Sequence, residues 1–183
     1  MLLKDKTAVV TGCNKGIGKK ILEVFAANGA TVFACIRNID EQFESFTNEL
    51  KKKFNNQIIP IQFDLNDEKT IKESADKIIA SNKPIDILVN NAATIHTSLF
   101  QMTSGKKLKE LFEVNFFSQT IFTQYILKSM IKNKGGSIIY ISSSSAVDGN
   151  EGRSAYASAK AAIIAQAKVL SRELGVHNIR VNS

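Results

Sequence analysis

Tyr156 and Lys160 stand four residues apart in Ser154-Ala155-Tyr156-Ala157-Ser158-Ala159-Lys160. On a helix, positions i and i+4 share a face, which brings a cation toward a phenol. A nearby ammonium favours the phenolate, so such a pair can give a proton to a carbonyl oxygen or take one from an alcohol. Of the three tyrosines, only Tyr156 has a lysine at that distance. Upstream lies a serine run, Ser142-Ser143-Ser144-Ser145. Taken alone it has the composition of a polar turn, and its hydroxyls could equally hold a reacting oxygen. Near the start comes Thr11-Gly12-Cys13-Asn14-Lys15-Gly16-Ile17-Gly18. Glycines there let the backbone turn tightly and approach a phosphate, and a helix opening behind them would offer free N–H groups. The glycine spacing, three residues then one, differs from the common dinucleotide fingerprint, so its place between a strand and a helix carries the weight.

The elements that would position these groups alternate from end to end. Short β-branched runs occur at Thr7–Thr11, Thr31–Ile36, Ile58–Phe63, Ile85–Asn90, Ser137–Ser142 and Asn178–Val181. Several are apolar at consecutive positions, as parallel strands covered on both faces are. Helical spacing lies between them, in Phe43, Phe46, Leu50 and Phe54 and in Ile71, Ala75 and Ile78. Leu108, Leu111, Phe112, Phe116 and Phe122 predict one long helix reaching toward Met130. Gly29 should end the first helix, and Asp67 and Ser154 should cap later ones. Strands separated by helices imply right-handed βαβ units. The expected fold is therefore an α/β doubly wound parallel sheet in three αβα layers, formed as a single domain over residues 1–183. Ligands bind such sheets beyond the carboxyl ends of the strands, which is where the glycine loop and the serine run fall.

As an ordered set these segments resemble the short-chain dehydrogenase/reductase family, whose members carry Thr-Gly-x-x-x-Gly-x-Gly at the first turn. Asn90-Asn91-Ala92-Ala93 matches the family's Asn-Asn-Ala-Gly, with Ala93 in place of the last glycine. Val114-Asn115 follows, and then Ser143, thirteen residues before Tyr156. The stretch from Gly136 to Lys160 is similar to 3-oxoacyl-carrier-protein reductases without a gap. The resemblance implies a nicotinamide-dependent oxidoreductase on a Rossmann fold, moving a hydride between the cofactor and a carbonyl or secondary alcohol. It implies Tyr156 as proton donor and Lys160 as its partner and a ribose ligand. Ser143 would hold the substrate oxygen, with Ser142, Ser144 and Ser145 as rivals if the register slips. Asn115 would bind a water that relays protons from Lys160.

The resemblance also places the cofactor on Thr11, Gly12, Asn14, Lys15, Gly16, Ile17, Gly18, Arg37, Asn38, Asp64, Leu65, Asn91, Ala92, Ala93, Tyr156 and Lys160. NAD-preferring enzymes set an acid near the end of the second strand. Here that strand continues Arg37-Asn38, with no acid before Asp40. Arg37 and Lys15 could instead clamp a 2′-phosphate, which favours NADPH while leaving NAD possible. Sugar and other secondary-alcohol dehydrogenases share these motifs, so the substrate stays open. An extended-branch epimerase is disfavoured by the glycine spacing.

Net charge is +7 in 183 residues, yet arginine occurs only four times and the lysines form small clusters, Lys51-Lys52-Lys53 and Lys106-Lys107. These read as solvated helix faces rather than a nucleic-acid stripe. No apolar stretch reaches the length of a bilayer span, and a strand-like run begins too early to leave room for a signal peptide. Cys13 and Cys35 provide no disulfide framework and are expected as apolar fillers, in keeping with a cytoplasmic protein. His96 and His177 have no carboxylate or cysteine neighbours suggesting a metal site. Family members form homodimers or homotetramers through their long helices, and the same is expected here. The sequence stops at Ile179-Arg180-Val181-Asn182-Ser183. By resemblance a Pro-Gly loop, a substrate lid and a last, seventh strand would follow, so the expected alternative to an active enzyme is a truncated, non-catalytic nucleotide-binding or assembly protein.

Overall fold

The computed structural model describes residues 1–183. Six strands form one parallel sheet: β1 (Thr7–Thr11), β2 (Thr31–Ile36), β3 (Ile58–Gln62), β4 (Ile87–Asn90), β5 (Gly136–Tyr140) and β6 (Ile179–Asn182). Their order in space is β3-β2-β1-β4-β5-β6. Winding runs outward from β1 to β3, then returns past β1 and continues to β6, so β1 and β4 flank the point of reversal. Val9 faces Phe33 on one side and Leu88 on the other.

Two helices cover one face, α1 (Gly16–Ala27) and α2 (Glu41–Phe54). Their core joins Leu22, Ala26, Phe43 and Leu50 to Ala8, Val10, Val32 and Ala34. The opposite face carries α3 (Glu68–Ala80), α4 (Gly105–Phe112), α5 (Ser118–Lys132) and α7 (Ser154–Glu173), while the short α6 (Ser145–Asp148) follows β5. There Ile71, Ile78, Phe122, Ile126 and Ile163 pack on Val9, Phe33, Leu88 and Ile138. Alternate residues of the inner strands thus serve two cores, which is why those strands are apolar at consecutive positions, whereas β6 buries only Ile179 and Val181 and exposes Arg180 and Asn182. Cys13 and Cys35 are fully buried fillers. Burial pushes both thiols up, away from the reactive thiolate.

Asp67 caps α3 by accepting from the Lys69 N–H, and Gly29 follows the end of α1 with φ +89°. Ser154 does not cap as expected. It is the first residue of α7, and Arg153 occupies the cap position without a side-chain bond. Nor is the long helix continuous. Between α4 and α5, residues Glu113–Phe117 form a π-turn. Apolar spacing of three and four does not register one inserted residue, so the turn left no mark on the pattern.

Candidate active site

Beyond the carboxyl ends of the strands opens a cleft of about 800 Å³, which receives residues from every strand end except β6. The glycine loop forms its floor. Gly12 has φ +73°, and a Cβ there would lie 2.9 Å from the Ala92 Cα. A Cβ on Gly18 would overlap the Gly12 carbonyl oxygen and the Asn91 side chain. Those two glycines are demanded by packing. Gly16 is different, since it has φ +54° and nothing within 4 Å of its absent Cβ. The first turn of α1 has no acidic residue and no side-chain cap, leaving its N–H groups and positive dipole end free for an anion.

Thr11 is buried beneath this loop and does not line the cleft. Its hydroxyl oxygen accepts from the N–H groups of Asn91 and Ala92 at 3.0 and 2.9 Å, tying β1 to the segment after β4. Asn91 returns the contact by donating to the Thr11 and Gly12 carbonyls. Asn14, Lys15, Ile17, Arg37, Asp64, Leu65, Ala92 and Ala93 all line the cleft, whereas Gly16 and the exposed Asn38 fall outside it. Lys15 and Arg37 are exposed and neither is paired with an acid. Asp40, the first acid after β2, accepts from the Phe43 N–H at 2.8 Å as the cap of α2. Asp64 turns one oxygen into its own loop, accepting from Asn66. Ala93 lies outside the left-handed region, so the alanine in the family's glycine position carries no backbone strain.

At the other end lie Ser142, Ser143, Tyr156 and Lys160. Lys160 is 1% exposed, and its Nζ donates to the Ile141 carbonyl. Desolvation pushes its pKa down to about 8. The Nζ stands 6.0 Å from the centre of the Tyr156 ring, so the expected shared face is observed without a direct bond to the hydroxyl. The serine rivals separate by their bonds. Ser142 donates to the Lys160 carbonyl, Ser145 bonds to Asn150, and Ser144 does not line the cleft. Ser143 accepts from the Ser145 N–H at 3.2 Å, leaving its own hydroxyl proton free to donate into the cleft.

The π-turn and the start of α5 hold the surrounding loops. Asn115 is fully buried and outside the cleft, and its carboxamide grips both the N–H and the C=O of Thr94, at 2.9 and 2.8 Å. Ser118 donates to the Leu65 carbonyl at 2.6 Å, and Gln119 donates to the Ala92 carbonyl at 2.7 Å. Sequence reasoning did not single out Ser118 or Gln119, because a polar residue on an apolar helical stripe carries no spacing signal. Nor is Lys107 on the solvated face that its lysine cluster predicts. Lys107 and Glu110 line the cleft as an ion pair of 3.0 Å.

The short chain dehydrogenase profile matches residues 6–183. The chain is 34% identical to the 3-oxoacyl-[acyl-carrier-protein] reductase of Chlamydia muridarum, covering 99% of this chain and 73% of that protein. It is 33% identical to the Thermotoga maritima enzyme of the same name, covering 100% and 74%. Among solved structures, the L-sorbose reductase of Gluconobacter frateurii, complexed with NADPH and L-sorbose, superposes with a TM-score of 0.93 at 28% identity, covering 100% and 70%. A short-chain type dehydrogenase/reductase from Mycobacterium marinum gives 0.91 at 27% identity, covering 99% and 74%. No helix of this chain is long and apolar enough to cross a membrane.

Proposed function

Because the chain belongs to the short-chain dehydrogenase/reductase family, and is therefore an oxidoreductase, we propose that residues 1–183 form a single NADPH-binding domain that reduces a carbonyl compound of the 3-oxoacyl-thioester type. The observation that carries this reading is the division of one cleft into two ends. At one end stand an open helix N-terminus and the unpaired cations Lys15 and Arg37, and at the other Ser143, Tyr156 and buried Lys160.

The residues fit a phosphorylated nicotinamide nucleotide. The uncrowded turn at Gly16, on the rim between the cleft-lining Lys15 and Ile17, and the first amides of α1 would take the pyrophosphate. Arg37 and Lys15 would take the 2′-phosphate, while Asp64, Leu65 and Asn91 to Ala93 would border the rest. When bound, NADPH supplies the hydride that reduces the carbonyl carbon. Ser143 donates a hydrogen bond to the substrate oxygen and holds it beside Tyr156, whose hydroxyl gives that oxygen its proton. Lys160, held by the Ile141 carbonyl, places positive charge near the phenolate that forms. Asn115 fixes Thr94 beside this end of the cleft.

Arg37→Ala tests the cofactor reading. It should weaken NADPH by about 1–3 kcal/mol, the range of a lost charge-assisted contact, and leave NADH almost unchanged. Titration of both cofactors against both proteins decides it, and equal wild-type affinities would remove the preference. Tyr156→Phe tests the chemistry. With a generic β-keto ester, NADPH oxidation should slow by about 10²–10⁴-fold while NADPH affinity holds, since only the hydroxyl is lost. An unchanged rate would assign the proton to another group.

A further inference from the structure

Gln119 is 1% exposed on an inward face of α5, one turn before the buried Phe122 and Thr123. Its Nε2 donates to the Ala92 carbonyl at 2.7 Å, and its Oε1 is buried with no donor in reach. The carboxamide therefore places its one side-chain hydrogen bond on a backbone oxygen of the cleft wall. That oxygen belongs to the Ala92–Ala93 peptide. In a trans peptide the C=O and N–H point in opposite directions, so drawing the Ala92 oxygen inward aims the Ala93 N–H outward. Ala93 is exposed and lines the cleft, and its N–H has no partner within the chain. Both flanks of the peptide are fixed as well. The Ala92 N–H is held by Thr11, and Thr94 is gripped at both ends by Asn115. Ahead of it, Asn90 is anchored to Thr123, which also accepts from the Tyr140 hydroxyl.

The peptide follows β4, which lies beside β5 and its Ser143 and two strands away from β2 and its Arg37, and we propose that Gln119 is a positioning residue that locks the Ala92–Ala93 peptide so that the Ala93 N–H is presented to the nicotinamide half of the nucleotide. The proposal rests on the reading of the cleft as a nicotinamide-nucleotide site. Gln119→Met conserves volume and removes the donor, leaving the peptide free to rotate its carbonyl into the cleft. The measurement compares NADP⁺ with adenosine 2′,5′-bisphosphate, which carries the adenine half alone. In the variant, NADP⁺ affinity should fall about tenfold, as for one lost hydrogen bond, while bisphosphate affinity stays within about twofold. Equal losses for both probes, or no loss for either, would overturn the proposal, because a purely structural role does not distinguish the halves. Should the variant not fold, wild-type amide exchange gives a second reading. The Ala93 N–H should become protected when NADP⁺ binds but not when bisphosphate binds, and its remaining unprotected in both complexes would overturn the assignment. Wild type binding neither probe would instead sink the reading of the cleft itself. Wild type binding both, with an unaltered Gln119→Met, would sink only the role of Gln119.

Discussion

At the scale of single residues, the strongest electrostatic perturbation near the proposed chemistry is at Lys160, whose pKa burial lowers from the ordinary 10.5 to about 8. Below pH 8 both folded and unfolded chains carry the proton, and the folded state bears the full cost of a buried ammonium. Between pH 8 and 10.5 the unfolded chain binds more protons, so this residue's contribution to stability rises with pH through that window. The whole change is about 3 kcal/mol. Cys13 and Cys35 act in the opposite sense, since their thiols ionise in the unfolded chain while burial keeps them protonated when folded. Lys160→Met leaves that opposing effect in place and removes the lysine's. Urea unfolding of both proteins from pH 7.5 to 10.5 should therefore show wild type gaining on the variant as pH rises. A constant difference would mean that the lysine is solvated. The pair Tyr156 and Lys160 was legible because i,i+4 spacing is a property of sequence. Gln119 was not, because its value lies in a carbonyl 27 residues away.

At the scale of elements, the glycine loop separates two demands that look alike in sequence. Gly18 is required by contact, since a Cβ would overlap the backbone oxygen of Gly12, and backbone cannot turn aside as a side chain can. Gly16 is required only by its left-handed φ and faces open space. Gly18→Ala should cost about 1–3 kcal/mol of folding stability or more, as overpacking does. Gly16→Ala should cost about 1–2 kcal/mol for the strained backbone, and in addition weaken NADPH by placing a methyl where phosphate approaches. Denaturant midpoints and NADPH titration on the two variants check this, and an unchanged affinity in Gly16→Ala would move the phosphate elsewhere. The strands were readable because two-sided burial writes continuous apolar runs. Boundaries shifted at β3 to β6 by one or two residues, and at β3 and β5 the runs continue into the cleft-lining loops. The π-turn was hidden because the core it serves still sees apolar residues on every turn, while its effect is on loops far along the chain.

At the scale of the whole molecule, the face built from α4, the π-turn, α5 and α7 carries more apolar surface than its contact with the sheet uses. Leu108, Phe117 and Val169 are 42%, 48% and 54% exposed there, on elements whose inner sides already hold Leu111, Phe122 and Ile163 in the core. Three large side chains distributed over three elements of one face make a surface suited to a self-complementary contact, in which each residue meets its counterpart across a two-fold axis. The prediction is reversible self-association at micromolar concentration. Phe117→Lys would place like charges near each other across such an axis and should shift the population toward monomer. Because the side chain is half exposed, thermal stability of the monomer should hold within about 0.5 kcal/mol, as for other surface substitutions. Sedimentation velocity over a concentration series on both proteins reads the outcome. A wild type that remains monomeric throughout would show that the face is solvated, and an assembly indifferent to Phe117→Lys would place the contact on another surface.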